Sequence, residues 1–167
     1  MATKTNKQLS IGPHLGTNVV SFELPSLELV LGEKTILRHM PSRDPESLAR
    51  TFRDIWLKAR IETQELSYLL FFDAEGKCIG SMHLGAGALT MTLADINLSC
   101  AAALCCRATG VALAHNHPSG NLRPSEADKQ LTKQLAQALD LHGVQLIDSQ
   151  IITGNDYVSW SEEGHLS

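Results

Sequence analysis

Two short apolar runs constrain this chain more than any other feature. Ser67 to Asp73 reads SYLLFFD, and Val111 to Ala114 reads VALA before the chain turns polar at His115. Each has the length of a strand, and neither alternates apolar with polar side chains. A strand without a polar face has to be covered on both sides, as in a sheet packed between helices. Ala74 to Lys77 (AEGK) reads as a hairpin turn, and Cys78 to Leu84 as the returning strand, broken by Gly85-Ala86-Gly87.

Helical signals fill the intervals. Asp44 can cap a helix whose first residue is Pro45, with Glu46 at the positive end of the dipole. Leu48, Phe52, Ile55, Trp56 and Ala59 then share one face, which predicts a helix to about Lys58 or Arg60 with Phe52 and Trp56 as core anchors. A second helix is expected from Leu93 or Ala94 to Ala108, rich in small residues and closed by Gly110 in a left-handed cap. Pro124-Ser125-Glu126 opens a third, with Ala127, Leu131, Leu135 and Ala138 inward and His142-Gly143 at its end. Val144 to Asp148, Ile151 to Thr153 and Tyr157 to Trp160 read as closing strands. The expected fold is α/β, a single domain with a central mixed β-sheet flanked by helices. It would occupy residues 41–167, preceded by a partly ordered extension over 1–40.

Composition narrows the function classes. The net charge is −4 over 167 residues, with no clustered Lys/Arg stripe. That argues against direct nucleic-acid binding, which needs phosphates neutralised. No apolar run reaches the length of a membrane span, and the first residues lack the apolar stretch of a signal peptide, so a cytoplasmic location is expected. The four cysteines, Cys78, Cys100, Cys105 and Cys106, form no CxxC pair and are expected as small buried residues.

The chemistry concentrates in HNHPSGNLRPSEAD, His115 to Asp128. In extended backbone residues i and i+2 point the same way, so His115 and His117 can converge. Asp128, in the first turn of the third helix, can face back toward them. Two imidazoles and a carboxylate make a three-ligand zinc site with one position left open, as catalytic zinc sites have. Gly120 permits a sharp turn, and Pro118 and Pro124 stiffen the loop. A competing reading needs no metal. Ser125-x-x-Asp128 is also a capping box, and both readings stay open. Hydrolysis at such a site also wants a base. Glu62, Glu65, Asp73, Glu75, Asp95, Glu126 and Asp148 are candidates, and Glu65 stands out because it immediately precedes the strongest strand.

His115-x-His117 followed by Ser125-x-x-Asp128 resembles the motif of the JAMM metalloproteases, also called JAB or MPN-plus domains. The wording His115-Asn116-His117-Pro118-Ser119-Gly120, then Pro124-Ser125-x-x-Asp128, is similar to their bacterial RadC-like branch. Gln64-Glu65, Gly85 with the alanine-rich helix, and Ile152-Thr153-Gly154 through Tyr157-Val158-Ser159 extend the likeness over about residues 45–163. The resemblance implies the JAB/MPN, cytidine-deaminase-like architecture. It implies one zinc ion held by His115, His117 and Asp128, with Glu65 as general acid/base. Ser125 would hydrogen-bond the attacking water and the developing oxyanion. The implied reaction is hydrolysis of a peptide or isopeptide bond in a protein or peptide substrate.

Other roles in the same branch and superfamily are a DNA-repair or mobile-element accessory protein and a catalytically silent protein-binding domain. Retention of all five site residues argues against the silent form. Asn116 stands where the superfamily's deubiquitinases carry serine, so specificity for ubiquitin-like substrates does not follow. Ser149 follows Asp148 where relatives often carry histidine. The chain also starts too close to the catalytic domain to hold the helix-hairpin-helix region of longer relatives, which weakens the DNA-repair reading. HNH nucleases share the letters His-Asn-His and nothing of the context, since their motif is dispersed through a ββα-metal fold.

Overall fold

A computed structural model describes residues 41–56, 61–87 and 95–166, all within one compact unit spanning Thr35–Ser167. The expected extension over 1–40 lies outside the described residues. The element order is α1 (Pro45–Ile55), β1 (Glu65–Phe72), β2 (Cys78–Gly87), α2 (Ile96–Cys105), β3 (Gly110–Asn116), α3 (Glu126–Asp140), β4 (Gln145–Ile152) and β5 (Tyr157–Ser159). The strands form a five-stranded mixed sheet in the order β2-β1-β3-β4-β5. Only the β3–β4 pair is parallel, and its crossover is α3. This is the α/β architecture expected from the two apolar runs.

Those runs are apolar throughout because each face of the sheet has its own core. On one face Leu69, Phe71, Val111 and Leu113 pack with Ala103 of α2 and with Leu131, Leu135 and Leu139 of α3. On the other Leu66, Leu70, Phe72, Ala112 and Ala114 pack with Leu48 and Phe52 of α1 and with Trp56 just past its end. Consecutive residues of β1 and β3 therefore serve opposite cores.

α1 begins as expected, with the Asp44 carboxylate accepting from the Ser47 amide at 2.9 Å. It stops at Ile55, short of the expected end. Trp56 turns extended (ψ 120°) and seats its ring between Phe52, 6.0 Å away, and Tyr68 at 5.1 Å. β1 begins at Glu65, so that residue lies in the strand rather than before it. β2 continues through Gly85–Gly87, which pair with Ser67, Leu66 and Glu65 past a bulge. β4 is one strand where two were read.

α2 starts at Ile96 because Asp95 caps it, accepting from Leu98 N at 3.1 Å. Its left-handed closing residue is Arg107 (φ 56°), not Gly110. Gly110 opens β3, where a Cβ would stand 2.6 Å from the Ile147 Cδ1 atom. In α3 the inward face is Asp128, Leu131, Thr132, Leu135 and Leu139, while Ala127 is exposed. Of the cysteines only Cys100 is buried; Cys105 and Cys106 are exposed and all are free, which corrects the expectation for that pair.

Candidate metal centre

The site forms where three elements end together. His115 is the next-to-last residue of β3, and Ser67 of β1 lies opposite it. Glu65 sits two residues before Ser67, so the pleat puts it on the face of β1 that His115 shares. α3 begins after the Pro118–Pro124 loop and presents its first turn to the same place. The sheet thus supplies His115 and the Glu65 carboxylate, the residue just past β3 supplies His117, and the helix supplies a second carboxylate.

The two imidazoles converge, with His115 Nε2 and His117 Nε2 3.1 Å apart. Asp128 Oδ1 lies 3.3 Å from His115 Nε2, and Asp128 Oδ2 lies 3.8 Å from His117 Nε2. Donor atoms of a tetrahedral zinc with bonds near 2.0–2.1 Å stand about 3.3–3.4 Å apart, which the His115–His117 and His115–Asp128 spacings approach and the His117–Asp128 spacing exceeds. A carboxylate oxygen of Glu65 lies within 4.8 Å of a ring nitrogen on each histidine. His117 Nδ1 is 2.6 Å from the Asn121 carbonyl, which can only accept, so Nδ1 carries the proton and Nε2 presents its lone pair. His115 is 2 % exposed, and its Nδ1 has no partner among the described residues.

Asp128 serves the helix and the site at once. Its Oδ2 accepts from both the Ser125 amide and the Ser125 hydroxyl at 2.7 Å, and the Asp128 amide returns a bond to Ser125 Oγ at 3.1 Å. The capping box is therefore formed, and Oδ1 is still directed at His115. The capping box leaves that oxygen available to the other reading, which it does not exclude. Burial pushes the Asp128 carboxyl up, but the hydrogen bonds and charge supplied by His115, with the bonds from Ser125, outweigh it and hold the group well below the usual carboxylate range.

The other candidate bases are engaged elsewhere. Asp73 accepts from the Glu75 and Lys77 amides in the hairpin turn. Asp95 caps α2, and Glu126 pairs with Lys129 at 2.6 Å in solvent. Glu62 and Glu75 are exposed. Asp148 is fully buried and accepts from the Ser149 amide, Gln150 Nε2, the Ser159 hydroxyl and the Ser161 amide, which ties β4 to the chain's last turn. Glu65 alone among them joins the histidines. The reading of the sequence missed the Asn121 carbonyl behind His117 and the bond between Ser149 and Thr132 at 2.9 Å, one helical turn beyond Asp128. Neither leaves a periodic or motif signal.

A mixed sheet with His-x-His at the end of a central strand, and an acidic first helical turn facing it, is the arrangement of a JAB/MPN domain. Residues 42–165 match the family model of the RadC-like JAB domain, and the chain belongs to that family. It is 33% identical over 152 residues to a UPF0758 protein of Thiobacillus denitrificans, covering 90% of this chain and 68% of the relative. A UPF0758 protein of Porphyromonas gingivalis is 42% identical over 105 residues, 62% of this chain and 46% of the relative. One of Flavobacterium johnsoniae is 40% identical over 97 residues, 58% and 42% respectively. The chain spans about two thirds of the first relative and less than half of the other two. Among the described residues no helix is long and apolar enough to cross a membrane.

Proposed function

We propose that this chain is a zinc-dependent metallohydrolase that cleaves a peptide or isopeptide bond in a protein or peptide substrate. The observation that carries the reading is the convergence of His115 Nε2 and His117 Nε2, 3.1 Å apart, with Asp128 Oδ1 3.3 Å from His115 and a Glu65 carboxylate oxygen within 4.8 Å of both histidines. In this reading His115, His117 and Asp128 hold one zinc per chain. Bound zinc would lower the pKa of a water toward about 7 and polarise the scissile carbonyl.

Glu65 takes the proton of the attacking water and returns it to the leaving amine. Ser125 donates its hydroxyl to the oxyanion that develops. The Ser125 amide also bonds Asp128 Oδ2, so the carboxylate keeps one of these two bonds while the hydroxyl turns to the oxyanion. The net charge of −4 favours a polypeptide over nucleic acid as the direct partner, and we place the protein in the cytoplasm.

Metal content by mass spectrometry tests this reading. Wild type should carry about one zinc per chain, and His117→Ala and Asp128→Ala should lose it. Peptide and isopeptide-linked substrates can then be screened with Glu65→Ala as the inactive control. No metal in the wild type, and no uptake from added zinc, would leave Ser125 and Asp128 as a capping box and the domain as a binding module.

A further inference from the structure

Asn116 lies between the two histidines but faces the other way. The pleat that turns His115 toward α3 turns Asn116 toward the α1 side, where Ala112 and Ala114 of the same strand also pack. It is completely buried. Its side chain makes three hydrogen bonds, all to backbone. Oδ1 accepts from the Leu66 amide at 2.8 Å, and Nδ2 donates to the Ile61 carbonyl at 2.7 Å and to the Gln64 carbonyl at 2.8 Å. Both amide hydrogens and one lone pair are used.

The partners matter more than their number. The Gln64 carbonyl and the Leu66 amide flank Glu65 on its two sides. One side chain on β3 thus grips the backbone on both sides of Glu65, and does so from the residue between His115 and His117. Any movement of the strand end that carries the histidines would carry the backbone of Glu65 with it.

We infer that Asn116 is a positioning residue that sets Glu65 against the histidine pair, an inference that rests on the assignment of Glu65 as the base beside a metal ion. The residue type follows from the task. A carboxylate cannot donate to two carbonyls, a serine hydroxyl has a single hydrogen, and glutamine would add a methylene to a closed core. The hydrogen bonds of the Asn116 side chain all go to backbone of residues 61–66 and none to His115, His117 or Asp128, so its loss should leave metal binding intact and disturb only the placement of Glu65.

The test uses the full chain loaded with cobalt(II), whose visible spectrum reports the geometry around the ion without any substrate. Glu65→Gln provides the reference spectral change. Asn116→Ala should reproduce that change, Asn116→Ser should fall between it and wild type, and adding Asn116→Ala to Glu65→Gln should change nothing more. Cobalt affinity of Asn116→Ala should stay within about threefold of wild type, short of the roughly 10-fold or greater loss caused by removing a ligand's own hydrogen-bond partner. The Leu66 amide should exchange at least about 10-fold faster.

A wild-type spectrum for Asn116→Ala, where Glu65→Gln shifts it, overturns the inference alone. So does a loss of affinity of 10-fold or more, or failure of both Asn116 variants to fold, since each makes Asn116 a general support. If cobalt binds through the histidines and Glu65→Gln leaves the spectrum unchanged, the assignment of Glu65 fails first and this inference with it. No cobalt uptake at all overturns both.

Discussion

Asp128 is where helix chemistry and site chemistry meet. Its folded-state carboxyl titrates below its ordinary value, because the bonds from His115 and Ser125 outweigh the burial that would raise it. The unfolded chain therefore binds more protons than the folded one at acid pH. The carboxylate's contribution to stability is fully present above its unfolded pKa near 4, and is lost as pH falls through the lower folded value. Equilibrium denaturation of metal-free protein between about pH 6 and pH 3 should show stability falling toward acid, and Asp128→Asn should flatten that slope. An unchanged slope in Asp128→Asn would mean that other carboxylates carry the acid sensitivity.

The helix caps separate structural cost from effects on the site. Asp44 and Ser125 both cap helices through a side-chain oxygen, but only Ser125 also holds a carboxylate that faces the histidines. Asp44→Ala and Ser125→Ala should each cost about 0.5–2 kcal/mol of stability. Metal affinity should be unchanged in Asp44→Ala and fall roughly 10-fold or more in Ser125→Ala. Denaturation curves and a chelator competition read the two quantities separately, and equal affinities in the two variants would sink the orienting role of Ser125.

The same caps account for what could be read from the sequence. Asp44, Pro45 and Ser125 announce helices through local chemistry, and the apolar runs announce a covered sheet, so the layering was legible. The end of α1 was not, because Trp56 leaves the helix to pack against Tyr68, a residue beyond the helix. Nor was the role of Gly110, whose missing side chain accommodates Ile147 from a strand more than thirty positions later. His115, His117 and Asp128 could be nominated from spacing, and Glu65 from its place at the mouth of the strongest strand, which it opens rather than precedes. The grip of Asn116 on residues 61–66 could not, since nothing local links a strand end to a segment fifty residues earlier.

Across the whole molecule the site lies where β1, β3 and α3 converge. Each face of the sheet has a separate core, and β1 and β3 belong to both. An ion held by His115, His117 and Asp128 would join β3 to the start of α3 across the Pro118–Pro124 loop, a segment with no core of its own. Such an ion binds the folded chain, which holds the three groups together, far better than the unfolded one. At about 100 times its dissociation constant it should add about 2.7 kcal/mol to the unfolding free energy. For a domain of this size that corresponds to a rise in Tm of roughly 5–11 °C. Thermal melts with and without zinc should show this rise in wild type and its disappearance in His117→Ala. Glu65→Ala should keep most of it, because in the proposed reading Glu65 is a base rather than a ligand. A rise lost equally in Glu65→Ala would move Glu65 into the ligand set and leave the site without its base.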